Sequence, residues 1–397
     1  MPRAVVVLPS TTYRASDFVE AAQSLGVDLV VAAEQPPPFE MGDRYVQIDC
    51  SDPHSAADQL TALGDDVPLD GVIAADDSGV LVAALAGTAL GLRSNSPQAA
   101  AATRDKSLMR RTLAAEEVPQ PDFELLDGER PPDIDISYPV VVKPVDRSAS
   151  QGVIRVDRPD ALAVAVDRVR KIVGDEQAPV LVETYVDGPE IAIEGLLNDG
   201  DLTALAIFDK PDTSDGPFFP ETIFVTPSRL PDLAQTEARR VAQAATRSLG
   251  LSQGPVHIEL RIQDGRPKVI EIAARSVGGL CSRSLNFGLM GTSLETLILR
   301  NAIGMEKPEL RREFHASGVL MIPITRSGLL AEVIGLDQVR EIEAVTGLDL
   351  TIRLGSEILA PPDGDRYLGF VYANAVSPET VESALRRAMD IIEVRIE

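Results

Sequence analysis

The chain has 397 residues and a formal net charge of −24, from 61 Asp and Glu against 37 Lys and Arg. Nucleic acid and anionic membranes are excluded as predicted partners, because both require a basic face. A content of 44% hydrophobic and 25% charged residues is typical of a globular protein, which at this length predicts several packed lobes. The N-terminus enters a strand without a signal-peptide pattern, and no apolar run is long enough to span a bilayer, so we predict a cytoplasmic protein.

Strands and helices alternate over residues 1–102. Short apolar runs predict buried strands and longer amphipathic runs predict helices, and this rhythm indicates a doubly wound parallel sheet. The turn after the first strand, residues 9–12, contains no glycine, which disfavours a nicotinamide or flavin site. Strands are predicted at 4–8, 28–33, 45–48 and 71–75, and helices at 16–25, 55–63 and 79–90.

From residue 103 onward, strands with polar alternation and short turns lie between helices, which predicts α+β lobes. We place one lobe at 103–179, a second at 180–305 and a small C-terminal unit at 306–397, so the predicted fold class is α/β plus α+β. Helices are predicted at 104–116, 160–173, 233–249 and 378–389, and strands at 139–143, 153–156, 180–186, 191–197, 202–208, 256–262 and 268–274.

Two strands joined by a turn at 263–267 carry the most informative side chains. Alternate residues of a strand share a face, so Glu259 shares one with His257, and Glu271 shares one with Arg275. Folding the hairpin brings the two carboxylates together, where their oxygens suit Mg²⁺ and Arg275 suits a transferring phosphoryl group. The alternative is an ordinary hairpin with charge pairs on a solvated face, although the flanking residues are apolar.

A lysine ends the apolar strand at 139–143, and a small polar loop follows it. Burying Lys143 without an anionic partner is costly. The loop residues Ser148, Ser150 and Gly152 could cover phosphates with backbone N–H groups and hydroxyls, and we take residues 146–152 as a candidate lid. The alternative is a lysine that reaches solvent at a strand end, beside a flexible loop.

The segment 180–194 is a third signal, because it reads as two strands around an Asp-Gly-Pro turn. Glu183 and Glu190 flank this turn, where acceptors suit an adenine amino group and ribose hydroxyls. The neighbouring Tyr185 and Val186 could sandwich a flat base. Outward-facing glutamates on a surface hairpin are the alternative.

In this order the three segments resemble the ATP-grasp superfamily, and most closely its L-amino-acid ligase branch, which contains dipeptide-forming enzymes and relatives of carnosine synthase. The resemblance covers essentially the whole chain. It implies an N-terminal α/β lobe, two α+β lobes that grip ATP and a small C-terminal lobe. The implied ligands are ATP phosphates for Lys106 and Lys143, adenine for Glu183 and the backbone near Val186, ribose for Glu190, Mg²⁺ (or Mn²⁺) for Glu259 and Glu271, and the transferred phosphate for Arg275.

The resemblance further implies an ATP-dependent carboxylate–amine ligase that joins small acids such as amino acids through an acyl phosphate. Its partners are small-molecule acids and amines, and relatives of this kind are commonly homodimers. Ala273 stands where many ATP-grasp enzymes have an Asn beside the metal, and we interpret it as a mark of this branch. The alternatives are a biotin-carboxylase-like or purine-pathway enzyme of the same superfamily, and a non-catalytic nucleotide-binding protein.

Further candidates concern the acid and the amine. His257 is predicted to touch the substrate or deprotonate the amine, with a structural hydrogen bond as the alternative. Glu221 lies in a polar and aromatic loop that either lines the acceptor site or lies on the surface. Gly278 and Gly279 indicate a close backbone approach, and Arg283 is expected to meet a substrate carboxylate.

Two more features are open to opposite interpretations. Asp76 and Asp77 follow the strand at 71–75, at the strand end where open α/β sheets bind ligands, but either could simply cap the next helix. The two cysteines, Cys50 and Cys281, suggest neither a disulfide framework nor a zinc site. We expect Cys281 to be a small packing residue rather than a nucleophile.

Overall fold

The structure is a computed structural model that describes residues 1–9, 14–36, 42–128, 134–212, 216–288, 291–306 and 315–397. Residues 10–12 of the glycine-free turn lie outside these ranges. Within the described ranges, no helix combines the length and the apolar character needed to cross a membrane.

The N-terminal lobe is a parallel sheet with helices on both faces, as predicted. Val5 and Val7 pack with one group of helices, whereas Val6 packs on the opposite face with Phe18. Its elements are β1 (Arg3–Leu8), α1 (Ala15–Leu25), β2 (Asp28–Ala33), β3 (Tyr45–Gln47), α2 (Pro53–Asp66), β4 (Gly71–Ala74) and α3 (Val80–Ala89). The strand order is β3-β2-β1-β4.

The helix predicted at 104–116 is present, but it begins two residues later, and a separate helix that was not predicted precedes it. The chain forms α4 (Pro97–Arg104) and α5 (Lys106–Ala115), separated by Asp105 in an extended conformation. The Asp105 carboxylate accepts hydrogen bonds from the N–H groups of Ser107 and Leu108, so it caps α5. The break places Lys106 in the first turn of α5, at the edge of a large cavity.

The second lobe is an antiparallel sheet in the order β5-β8-β6-β7, covered by one helix. Because the strand Val180–Thr184 pairs with two strands of this sheet, it belongs here although the predicted boundary lay before it. The elements are β5 (Phe123–Leu126), β6 (Val140–Pro144), β7 (Ile154–Val156), α6 (Leu162–Val173) and β8 (Val180–Thr184).

The third lobe is built on an eight-stranded sheet in the order β13-β12-β9-β10-β11-β16-β20-β18. Its β11–β16 pairing, Ile223 against Leu320, makes the C-terminal segment continuous with the large lobe. The elements are β9 (Glu190–Asn198), β10 (Asp201–Lys210), β11 (Ile223–Thr226), α7 (Asp232–Ser248), β12 (Gln253–Gln263), β13 (Arg266–Ala273), β16 (Ala316–Ile322), β18 (Val345–Leu350), β20 (Gly369–Ala375) and α10 (Pro378–Ile391).

The remaining elements lie around this sheet, and most of them were not predicted individually. The strands β19-β17-β21 form a small sheet, and β14 pairs with β15. Their bounds, with those of two further helices, are β14 (Asn286–Phe287), β15 (Thr292–Ser293), α8 (Leu294–Ala302), β17 (Gly328–Ile334), α9 (Leu336–Arg340), β19 (Glu357–Ile358) and β21 (Glu393–Ile396).

Candidate active site

A cavity of about 500 Å³ lies where all parts of the chain meet. The N-terminal lobe contributes Asp77, the second lobe Lys143, the large lobe Glu259 and the C-terminal segment Tyr367. Such a cleft between lobes is the usual place for a small-molecule site.

The two predicted metal ligands are direct partners across the β12–β13 hairpin, Glu259 opposite Glu271. Each carboxylate faces a lysine: Lys106 Nζ lies 2.9 Å from Glu271 Oε1, and Lys210 Nζ lies 3.5 Å from Glu259 Oε1. The described ranges contain no group of three His, Cys, Asp or Glu residues arranged to hold a metal. Two carboxylates nevertheless fit Mg²⁺, which commonly completes its shell with phosphate oxygens and water.

A β-bulge follows this pair, since Glu259 opposes Glu271 but Leu260 opposes Val269. The carbonyl groups of Val269 and Ile270 accept hydrogen bonds from Arg110 at 3.0 and 2.6 Å. The bulge therefore fixes the orientation of a buried arginine of α5.

Lys143 and Arg110 share one carboxylate. Lys143 Nζ lies 2.8 Å from Glu183 Oε2, and Arg110 Nε lies 2.6 Å from Glu183 Oε1. Burial raises the pKa of Glu183, but the two cations outweigh it and lower that pKa to about 2, while burial lowers the pKa of Lys143. Glu183 thus holds the lysine in place, and its predicted contact with adenine stays a prediction.

Lys210, at the end of β10, is surrounded by three carboxylates. It forms an ion pair with Glu190, lies 2.9 Å from Glu221 Oε1 and 3.5 Å from Glu259 Oε1, and stands over the Phe224 ring. Burial lowers its pKa, but the carboxylates outweigh burial and raise the pKa well above its usual range. The ammonium is therefore a permanent charge in the lining of the cavity.

The end of the cavity beyond Lys210 is aromatic and cationic. Tyr185 and Phe219 stack with ring centroids 6.4 Å apart, and Arg155 lies 4.1 Å above the Tyr185 ring. Arg261 Nε donates to Glu190 at 2.7 Å, and its NH1 group donates to the Val186 carbonyl at 3.0 Å. This end brings together Tyr185, Val186 and Glu190, which were predicted for the base and the ribose, and Phe219 joins them from the loop that precedes β11. Glu183, also predicted for adenine, lies apart with Lys143 and Arg110.

Arg275 reaches the cavity from the large lobe, yet its counter-ion comes from the N-terminal lobe. Its NH2 group lies 2.9 Å from Asp77 Oδ2. Burial raises the pKa of Asp77, but Arg275 and Arg104 hold it well below its usual range. Asp76 caps the turn after β4 by accepting from the Asp77 N–H at 2.6 Å. Asp76 therefore acts as a cap, which was one of the two interpretations of this pair, whereas Asp77 positions the Arg275 guanidinium.

The candidate lid, residues 146–152, lines the cavity through Ser148, Ser150 and their neighbours. The prediction for Gly152 needs correction, because its N–H donates to the Pro362 carbonyl at 2.8 Å and is committed to the C-terminal segment.

His257 lies between two carboxylates, with Nδ1 3.2 Å from Glu194 Oε2 and Nε2 3.5 Å from Glu259 Oε1. Burial lowers its pKa, but hydrogen bonds to the two carboxylates outweigh burial and raise the pKa to about 9. Both ring nitrogens are directed at carboxylates, which fits the structural hydrogen bond, and the contact with substrate or amine stays a prediction.

The residues predicted to contact the acid or amine divide into two groups. Glu221, Gly278 and Gly279 line the cavity. A Cβ on Gly279, whose φ is +59°, would lie 2.5 Å from the Phe370 ring, whereas open space surrounds Gly278. Cys281 is a buried part of the same wall, and burial raises its pKa well above the ordinary value.

The prediction that Arg283 meets a substrate carboxylate needs correction. Its guanidinium lies 2.8 Å from Asp17 Oδ1 and 2.8 Å from Asp349 Oδ2, so it links α1 to β18. It does not belong to the described lining of the cavity. Gly278 and Gly279, which were predicted together with Arg283, line the cavity, but the chain turns away from it before residue 283.

Family models match three segments that together span most of the chain. An ATP-grasp domain covers residues 136–284, and an ATP-grasp N-terminal domain covers residues 19–93. The L-amino acid ligase C-terminal domain 2 covers residues 320–397. The chain belongs to the ATP-grasp superfamily. The C-terminal match is to a domain of L-amino acid ligases, so the predicted resemblance is confirmed.

Individual relatives agree with this assignment. The structure of the L-amino acid ligase from Bacillus licheniformis superposes on this ATP-grasp protein with a TM-score of 0.83 and 27% identity, covering 100% of this chain and 99% of that one. Alanine–anticapsin ligase of Bacillus subtilis is 28% identical over 48% of this chain and 44% of its own length, so that match spans less than half of the relative. An uncharacterized protein of Sinorhizobium fredii is 25% identical over 99% of this chain and 83% of its own.

Sequence reasoning missed three residues of this site, the cations Lys210 and Arg110 and the neutral Tyr367. Lys210 ends an apolar strand as Lys143 does, so the same signal could have found it. Arg110 lies within a helix and Tyr367 in a loop, and neither position carries a local signal. Only the tertiary structure shows that Arg110 and Tyr367 lie at the site.

Proposed function

We propose that this protein is an ATP-dependent carboxylate–amine ligase that activates a small acid, such as an amino acid, as an acyl phosphate and joins it to an amine. The observation that carries the proposal is the Glu259–Glu271 pair with lysines on both sides and Arg275 on the same wall of one cavity. Two acidic metal ligands surrounded by separate cations suit a polyphosphate bound through Mg²⁺ or Mn²⁺.

Each group has a role that its position supports. A carboxylate is a poor electrophile and must first be phosphorylated. Lys106, Lys143 and Lys210 would hold the phosphates, and Arg275 would stabilise charge on the phosphoryl group as it moves to the acid. A Mg²⁺ ion on Glu259 and Glu271 would supply further neutralisation of the phosphate oxygens.

In the second half-reaction an amine reacts with the acyl phosphate, and water must be kept away from it. The amine attacks the acyl phosphate and phosphate leaves, whereas water at the same position would destroy the intermediate. The lid would exclude that water, and Glu221, which lines the cavity, could accept a hydrogen bond and then a proton from the entering ammonium group, leaving the neutral amine to attack. The aromatic wall of Phe224 and Phe370 would suit the apolar part of such a substrate.

The test is phosphate release with ATP and Mg²⁺ across a grid of amino-acid pairs, repeated with Arg275→Ala. We expect release that depends on a specific pair and falls by about 100-fold in the variant, since an electrostatic group acting in the transition state is removed. Arg240→Ala is the matched control, because Arg240 lies on α7 in an exposed pair with Glu237.

Two results would contradict the proposal. Phosphate release that requires bicarbonate instead of an amine would indicate a carboxylase-like or purine-pathway activity. Tight ATP binding with no release for any pair of acid and amine would indicate a non-catalytic nucleotide-binding protein.

A further inference from the structure

A segment of the C-terminal lobe, residues 360–367 between β19 and β20, reaches both the lid and the cavity; we call it the strap. Its turn is closed by hydrogen bonds from the Asp363 and Gly364 N–H groups to the Ala360 carbonyl, at 3.0 and 3.1 Å. A Cβ at Gly364 would lie 2.0 Å from the Leu359 carbonyl oxygen, so only glycine fits there. The strap is thus a defined structure.

One end of the strap holds the second lobe. The Gly152 N–H donates to the Pro362 carbonyl, and Gln151 Nε2 donates to the Asp363 carbonyl, both at 2.8 Å. The Asp363 carboxylate also forms an ion pair with Arg168 of α6. Three contacts therefore join the strap to the lid and to the helix that packs behind it.

The other end of the strap lies in the site. Tyr367 Oη donates to Glu221 Oε2 at 3.2 Å, and Glu221 in turn lies 2.9 Å from Lys210 Nζ. Thr351 Oγ1 donates to the Tyr367 carbonyl at 2.9 Å, which fixes the backbone at this point. The same eight residues thus touch the lid and the carboxylate beside the central lysine.

We propose that the strap is the latch that holds the lid closed over the reacting phosphate, with Asp363 and Tyr367 as positioning residues at its two ends. This inference rests on the proposed function, because a water-sensitive intermediate is what makes a latch necessary. The Arg168–Asp363 pair is partly exposed, with side chains 42% and 33% accessible, so it can open for product release.

The first experiment needs no substrate. We expect elastase, which cleaves after small residues, to cut after Ala149 when the lid opens, and mass spectrometry follows that cut in the full chain, in Arg168→Asp, in Asp363→Arg and in the double variant. We expect each single reversal to speed the cut by about fivefold, the size of one surface ion pair, and the double reversal to restore the original rate. The control is the same exchange in the exposed pair Arg158–Asp160 of the second lobe, which does not touch the strap.

The second experiment uses the reaction. Asp363→Arg and Tyr367→Phe should raise the ratio of phosphate released to amide formed, because water reaches the intermediate, and Asp363→Arg should be rescued by Arg168→Asp. Unchanged cleavage in both single reversals, or failure of the double reversal to restore it, overturns the latch. Absence of amide formation in the unaltered chain counts against the proposed ligase, and the cleavage rates then decide the latch alone.

Discussion

The Arg275 guanidinium of the large lobe lies 2.9 Å from the carboxylate of Asp77 in the N-terminal lobe, 198 residues earlier in the chain. Both side chains are largely buried, at 12% and 8% accessibility. The N-terminal lobe therefore orients the arginine that we assign to the transferring phosphoryl group, and it is part of the site although both predicted metal ligands lie in the large lobe.

Replacing Asp77 should damage both stability and activity. In Asp77→Asn the buried guanidinium loses its main counter-charge, so we expect the free energy of unfolding to fall by about 3 kcal/mol, the usual cost of breaking a buried ion pair. Urea unfolding measures the first effect and phosphate release measures the second. Asp337→Asn, in an exposed pair with Arg340, is the matched control and should change neither. Unaltered activity in Asp77→Asn would contradict the positioning role.

The Glu183 carboxylate should make stability depend on pH in a defined direction. Its pKa is about 2 in the folded chain against 4.5 for an ordinary Glu, so its contribution is complete above 4.5 and is lost as pH falls towards 2. Glu183→Gln should therefore be less stable by about 3 kcal/mol at neutral pH, because Lys143 and Arg110 lose a buried partner. The difference from the unaltered chain should shrink below pH 4.5, as measured by urea unfolding at a series of pH values. A difference that stays constant with pH would show that the charge of Glu183 is not its cause.

Lys210 should contribute most to the stability of the fold when no metal is bound. In Lys210→Met the carboxylates of Glu190, Glu221 and Glu259 repel one another without a central cation. We expect a lower melting temperature that Mg²⁺ partly restores, together with a loss of phosphate release of about 100-fold. Thermal unfolding with and without Mg²⁺ measures this. Lys171→Met, on an exposed position of α6, supplies the comparison, and equal melting temperatures for the two variants would refute the expectation.

Neither cysteine should react in the folded protein. Burial, with smaller contributions from Glu34 and other acids, raises the pKa of Cys50 to about 11, and burial raises that of Cys281 further. At about pH 8 on the order of one Cys50 in a thousand is then a thiolate, the reactive form. Iodoacetamide should leave both unmodified by mass spectrometry and leave activity intact, whereas both should be alkylated in urea. Rapid loss of activity on alkylation would restore Cys281 as a candidate for chemistry.

Local patterns determined a large part of this structure. The alternation of apolar strands and helices predicted the N-terminal parallel sheet. Each element buries one face against the core, and the spacing of apolar residues along the chain shows which face that is. The period of two along β12 and β13 was enough to pair Glu259 with Glu271, and a lysine at the end of an apolar strand was enough to select Lys143. The helix break at Asp105 was missed, because a capping side chain decided a boundary that periodicity leaves open.

The tertiary structure decided which charges meet. Tyr367 and Glu221 are 146 residues apart, Asp77 and Arg275 are 198 apart, and Arg283 turned out to pair with Asp17, 266 residues earlier. In the sequence, a buried charge can be recognised only as a charged residue among apolar neighbours. Those neighbours do not indicate which residue will be its ion-pair partner. The partner is selected when the lobes pack, since only then does burial make each unpaired charge costly enough to require one.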